Sequence, residues 1–225
     1  MSEDTLLWRR IDRSIESTPS NLNTEDICFY FRDYIDGGYG ESRSNQLVLN
    51  LKITPYIKTE NPWRWPYKVM AIEQCVLDYR QFFDRFLPAN SSIPVRLVPM
   101  PPSKAKASPE YDNRMALIAE RLAQIYPTTA VCDIFDVKWN MTPAHQGGSR
   151  IVSEIKDALI IEDAPLTEFS VVFLLDDMIT SGAHYIACKE LLQERYPRIV
   201  VAGLFWSRKK HEDPSYYYFN ANAGD

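Results

Sequence analysis

Apolar residues run unbroken through Val171, Val172, Phe173, Leu174 and Leu175 and stop at Asp176 and Asp177. A strand with no polar alternation is one buried on both faces, as in the interior of a parallel sheet. Beyond Thr180, Ser181 and Gly182, apolar residues return at helical spacing over positions 183–194. The same strand-then-helix rhythm surrounds this stretch. Positions 95–98 read as a short strand, 115–123 as a helix, 129–134 as the next strand and 199–205 as a last strand. Such alternation predicts βαβ crossovers, and with them an α/β fold whose mainly parallel sheet is flanked by helices.

The residues before Pro94 follow a different pattern. Positions 27–34 and 46–50 flank Asp36, Gly37, Gly38, Tyr39 and Gly40, which reads as a hairpin or a strand pair with a long loop. Positions 68–87 predict an amphipathic helix with Val69, Ile72, Cys75, Val76, Tyr79 and Phe83 on its apolar face and Pro88 as its stop. The intervening loop at 61–66 holds Trp63 and Trp65 between prolines and reads as a packed cover over the core edge, in preference to a base-stacking platform. No repeat or flexible linker divides the chain. It therefore reads as one domain over 1–225, with an N-terminal α+β extension (1–93) packed on a core at 94–207.

Composition narrows the picture. Of the 225 residues 45% are hydrophobic and 24% charged, as in an ordinary globular protein. A net charge of −5 makes nucleic acid an unfavourable partner, because binding it broadly needs a positive surface. No apolar stretch approaches the roughly 20 residues that span a membrane. Glu3 and Asp4 stand where a secretory signal would carry bases, and Cys28, Cys75, Cys132 and Cys188 are scattered without metal-binding spacing. These features lead to the expectation of a cytoplasmic protein with buried, reduced thiols and no dedicated metal site.

The candidate chemistry sits at the end of the 171–175 strand. A strand, a turn of small residues and a helix start bring together free backbone N–H groups, two hydroxyls and the positive end of a helix dipole, which suits a phosphate. The adjacent carboxylates would repel that phosphate, so their fitting partners are the hydroxyls of an attached sugar. An acidic helix start is the plainer alternative for Asp and Thr in such places.

In its order of residues this segment resembles the phosphoribosyl-diphosphate (PRPP) signature of the type I phosphoribosyltransferases: apolar residues, two acids, two further residues, then Thr, Ser and Gly. The resemblance implies that fold, with Asp176 and Asp177 as the catalytic acids on the ribose hydroxyls and Thr180, Ser181, Gly182 and Ala183 around the 5′-phosphate. His184 departs from the signature, where a hydroxyl residue is common, but an imidazole can still donate a hydrogen bond to phosphate. Magnesium is the cofactor implied, carried by the diphosphate itself.

The loop after the 95–98 strand stands where the family holds pyrophosphate, and offers Ser103, Lys104 and Lys106. Tyr111, Asp112, Asn113 and Arg114 then open a helix, at the place where ComF-like members carry a short polar motif. Residues 139–150, with His145, Gln146 and Arg150, occupy the position of another segment of that group, as a ligand cover or a solvated turn. Arg208, Lys209, Lys210 and His211, followed by Tyr216, Tyr217, Tyr218 and Phe219, read as a solvated end with packed aromatics, or else as an acceptor site. The resemblance covers about 94–207. It implies transfer of a phosphoribosyl group to an acceptor the sequence leaves open. The alternatives are a module that senses PRPP or a nucleotide without turnover, and a competence- or nucleic-acid-associated ComF-like protein; a homodimer or a protein partner is compatible with each.

Overall fold

The computed structural model describes residues 7–12, 19–87, 93–142, 148–164, 166 and 171–210. Strands β1 (Arg9–Arg10) and β2 (Ile27–Ile35) come first, followed by helices α1 (Arg43–Leu51), α2 (Ile57–Glu60) and α3 (Trp65–Phe86). Then come β3 (Val95–Pro99), α4 (Arg114–Ile125), β4 (Thr129–Val131), β5 (Phe135–Val137), α5 (Val152–Ala158) and β6 (Leu159–Ile161). The chain continues through β7 (Val171–Ile179), α6 (Ala183–Arg195) and β8 (Val200–Lys210).

Six strands form one sheet in the order β1-β2-β8-β7-β3-β4, and β5 and β6 form a separate antiparallel pair. Every pairing in the large sheet is parallel except that of β1 with β2. The protein is thus α/β, with a mostly parallel mixed sheet flanked by helices. Successive β7 residues serve opposite layers, which accounts for their unbroken apolar run. Val172 and Leu174 pack with α6 and the β5–β6 pair, whereas Phe173 and Leu175 pack with α1, α3 and α4. All four cysteines are buried and free.

The N-terminal residues are part of the sheet. β2 lies parallel to β8, with Ile27 opposite Ala202 and Tyr30 opposite Phe205. The hairpin expected from 27–34 and 46–50 does not form, because the second segment is the helix α1. Ser42 caps it by accepting from the Asn45 N–H at 2.9 Å, and Asn45, Val48 and Leu51 share its buried face. The buried Asn45 side chain also holds the turn: it accepts from Ile35 N and donates to the carbonyls of Ile35 and Gly38.

Three other expectations fail. Trp63 in the 61–66 loop is 67% exposed, so it is not packed over the core edge. On α3 the buried face includes Lys68 and Asp78, while Val69 is exposed. At the other end of the chain Arg208 is no solvated charge: it is buried in β8, donates to Asp33 of β2 at 2.9 Å and stacks on Tyr30.

Asp78 joins three elements. It accepts from Arg32 of β2 at 2.6 and 3.0 Å, from Trp206 Nε1 of β8 at 2.7 Å and from Gln74 at 2.9 Å. Both charges are buried, so removing one strands the other, at a cost of about 3–5 kcal/mol. Urea unfolding of Arg32→Leu should show a loss of that size. Arg32→Leu with Asp78→Asn, which still accepts from Trp206, should recover more than half. A single variant within about 0.5 kcal/mol of wild type would show that this cluster does not anchor β2.

Candidate functional site

The order of the strands puts a crevice where the sequence places its motif. From β3 the chain passes through α4 to β4 on one side, and later enters β7 on the other. Ligand sites of open α/β sheets lie beyond the carboxyl ends of the strands at such a reversal. β3 ends at Pro99, opposite Leu175, so Asp176 and Asp177 lie past its end, at the level of the crevice. The loops carrying Ser103 and Thr180 therefore leave the same edge of the sheet.

Strand alternation separates the two acids. Asp177 points to the helices that bear cations, and it is 3% exposed. Its Oδ2 accepts from Arg114 Nε at 2.8 Å and Nη2 at 2.6 Å, and Lys52 Nζ lies 3.3 Å from Oδ1. Arg114 also donates to Asp112 at 2.7 Å, and Asp112 accepts from the buried Lys68 at 2.7 Å. Lys68 fills its remaining valences with the carbonyls of Leu51 and Ile53, at 2.7 and 2.8 Å. Burial works against the Asp177 charge, but Arg114 and Lys52 outweigh it and hold the carboxyl at about 2.

Asp176 is half-buried and faces a cleft. Pro99, Met100, Pro101 and Pro102 line it on one side, Tyr111, Asp112, Asn113 and Arg114 on another, and Asp133 closes it. Burial and the neighbouring Asp177 anion push the Asp176 carboxyl up to about 7. Its Oδ1 accepts from the Asp177 N–H at 2.8 Å. The cleft holds about 20 Å³, room for one water.

Past β7 the chain turns through Thr180 and Ser181 into Gly182, whose φ of +81° suits a residue without a Cβ. No side chain caps α6 by hydrogen bond from Gly182, and the first N–H, of Ala183, reaches only the Ser181 hydroxyl at 3.4 Å. Among the described residues no side chain other than Ser181 meets the first-turn N–H groups, and such donors with the helix dipole suit an anion. The turn is held from outside by the segment before β2: Asn21 N donates to Ser181 O at 2.9 Å, and a Cβ on Gly182 would meet Leu22 at 3.1 Å. His184 opens α6 with its Nε2 buried and without a partner among the described residues. Burial keeps the imidazole neutral by lowering it to about 4, although Asp177 opposes that shift.

The loop after β3 departs from its expected role in one respect. Ser103 and Lys104 are half-buried but do not line the cleft, and Lys104 pairs with Glu110 at 2.6 Å. Lys106 pairs with Asp133 at 3.1 Å. Arg150 is exposed. His145, Gln146, His211, Tyr216, Tyr217, Tyr218 and Phe219 lie outside the described residues. Lys52, Asp112 and Lys68 belong to the site without having been singled out as its residues. Asp112 stood in the polar motif before α4, and Lys68 had the signal of a cation four residues before Ile72 on an apolar face; Lys52 had none. Comparison with models of known protein families and with curated proteins finds no match to the chain.

The two acids should respond oppositely to substitution. Asp176 binds its proton more tightly when folded than at the ordinary unfolded value of about 3.9, so stability falls as pH rises from about 4 to 7. Asp176→Asn should raise Tm above wild type at pH 8 and bring no gain at pH 4. Asp177, held down to about 2, contributes stability above the ordinary carboxylate range and loses it as pH falls towards that value. Asp177→Asn should therefore lower Tm at pH 8. Thermal unfolding in which both variants shift the same way at pH 8 would contradict this electrostatic assignment.

Proposed function

We propose that the chain is a type I phosphoribosyltransferase-like protein that binds PRPP, or a nucleotide through its 5′-phosphate, at the β3–β7 crevice. One observation carries this reading: the uncapped start of α6, with Gly182 and the hydroxyls of Thr180 and Ser181, stands one short turn beyond a cleft-facing carboxylate at the strand reversal. Phosphate takes the helix start and a ribose hydroxyl donates to Asp176. Asp177 acts at one remove, by holding Arg114 at the cleft wall. Asp176 and Asp133 offer the hard oxygen donors that magnesium accepts, and a diphosphate supplies the rest with water. The metal would neutralise charge on the departing diphosphate. The present cleft admits one water, so ligand entry requires the loop after Pro99 to draw back from Asp176.

In the transfer, the bond from the anomeric carbon to the diphosphate oxygen breaks, the oxygen keeps the electron pair, and an acceptor nucleophile bonds to the carbon. The sugar becomes electron-poor at that moment, as in glycoside hydrolysis, and the protein's part is to orient it and exclude water. The Asp176 carboxyl, raised by burial and by the Asp177 anion, gains its charge well above the ordinary carboxylate range, so affinity for its hydroxyl partner should rise between pH 6 and 8.

The test is titration calorimetry with PRPP and magnesium across that range, together with pyrophosphate release in the presence of a panel of bases. Binding in the wild type should strengthen with pH, and Asp176→Asn should weaken it at pH 8 by about tenfold or more while flattening the profile. The phosphate's own ionisation remains in the variant and serves as the control. Binding without pyrophosphate release would make the protein a sensor module. Equal PRPP affinity in the folded variant and wild type would remove Asp176 from the site, and no binding at all would end the reading.

A further inference from the structure

The opposite edge of the sheet carries a second cavity, and we propose that it binds a small amphipathic anion with one negatively charged head and an apolar body the size of a medium acyl chain. The cavity encloses about 460 Å³, within the roughly 300–1,000 Å³ of small-molecule sites. Strand register shapes its floor. Ile27 of β2, Ala202 of β8 and Phe173 of β7 lie in one row, so a small residue sits between two large ones and leaves a trough. Val171 and Val200, a register pair at the strand starts, extend the floor to the edge.

The walls are aromatic and brace one another. Phe82 of α3 packs edge-on against Phe173 at 5.6 Å and against Trp8 at 5.4 Å, and Phe86 meets Phe173 at 5.0 Å. Rings fixed by mutual packing make a preformed site whose apolar burial is not lost to rearrangement. Leu7 and Val200 at its mouth are 51% and 49% exposed, a contiguous apolar rim rather than scattered side chains.

The polar groups stand on one side. Gln81 and Arg85 are four residues apart on α3, hence neighbours on the helix surface, and both line the cavity. Neither makes a hydrogen bond or ion pair among the described residues. A cation in the last turn of α3 complements the helix dipole, but that does not account for the Gln81 amide beside it over an apolar trough. A guanidinium with no partner among the described residues, at the rim of an aromatic cavity, suits a carboxylate or sulfonate head, with the apolar body lying over Ala202. This site is separate from the β3–β7 crevice and does not depend on what binds there.

The experiment is calorimetric titration of the full chain with decanoate and, in parallel, with decanol. Saturable one-site binding of decanoate is expected. Arg85→Gln should weaken decanoate at least fivefold and leave decanol within twofold, and Ala202→Trp, which fills the trough, should abolish both. Circular dichroism checks that each variant folds; should Ala202→Trp not fold, the decanoate-to-decanol comparison in Arg85→Gln still decides. Absence of saturable decanoate binding overturns the proposal, as does equal decanoate affinity in wild type and Arg85→Gln. Sedimentation of the same samples provides a further check: a dimer that Arg85→Gln makes monomeric would give the groove to a second copy of the chain and overturn the proposal as well.

Discussion

Two consecutive carboxylates at the buried end of a strand repel each other, and the structure answers with a line of alternating charge. Lys52, Asp177, Arg114, Asp112 and Lys68 follow one another, each within hydrogen-bond or ion-pair distance of the next. The line runs from the C-cap of α1 through β7 and the start of α4 to the first turns of α3. Buried ion pairs contribute little net stability once desolvation is subtracted, yet breaking one is costly. What such a line provides is geometry. It allows one arrangement of three helices around the end of β7, because every other arrangement leaves a charge without its counterpart.

The consequence for the crevice is a division of labour between neighbouring residues. With Asp177 satisfied on the helical side, Asp176 remains as the one acid of the pair facing the cleft, raised towards neutrality by the anion behind it. The α6 turn has the opposite character. Its donors come from the backbone, its N-cap is a glycine that has no side chain to offer, and it is held by Asn21 and Leu22 from a distant part of the chain. The two edges of the sheet thus differ in kind: charged and narrow where the strands end, apolar and roomy where they begin.

The strand-helix alternation after Pro94 was legible because each β7 residue is apolar for its own layer, and because α4 and α6 begin next to distinctive polar residues. The strands β5 and β6 and the helix α5 were not. Each spans seven residues or fewer, too short to establish a period. The α1 helix was missed for another reason: over five residues, Leu47, Val48 and Leu49 fit a strand as well as a helix, and the capping Ser42 lay outside the stretch that looked periodic. Within the site, Asp176, Asp177 and the turn beyond them could be found because they are contiguous. Asp112 stood in the polar motif before α4 but without its role, and Lys52 could not be found, since ion pairs between residues far apart in sequence leave no local pattern.

The position of β2 also governs how the molecule can be assembled. It precedes every other parallel strand of the sheet, yet the strand it pairs with is the last one described, and Asp33 and Arg208 meet across 175 residues. On a growing chain β2 is a strand edge without its neighbour, bearing Phe29, Tyr30 and Phe31, until β8 has left the ribosome. β3, β4 and β7 can associate sooner. β8 then arrives as the bridge between an assembled half and a waiting strand. Its long apolar run, from Val201 through Trp206, is therefore both the centre of the finished sheet and the joint without which its two halves cannot close.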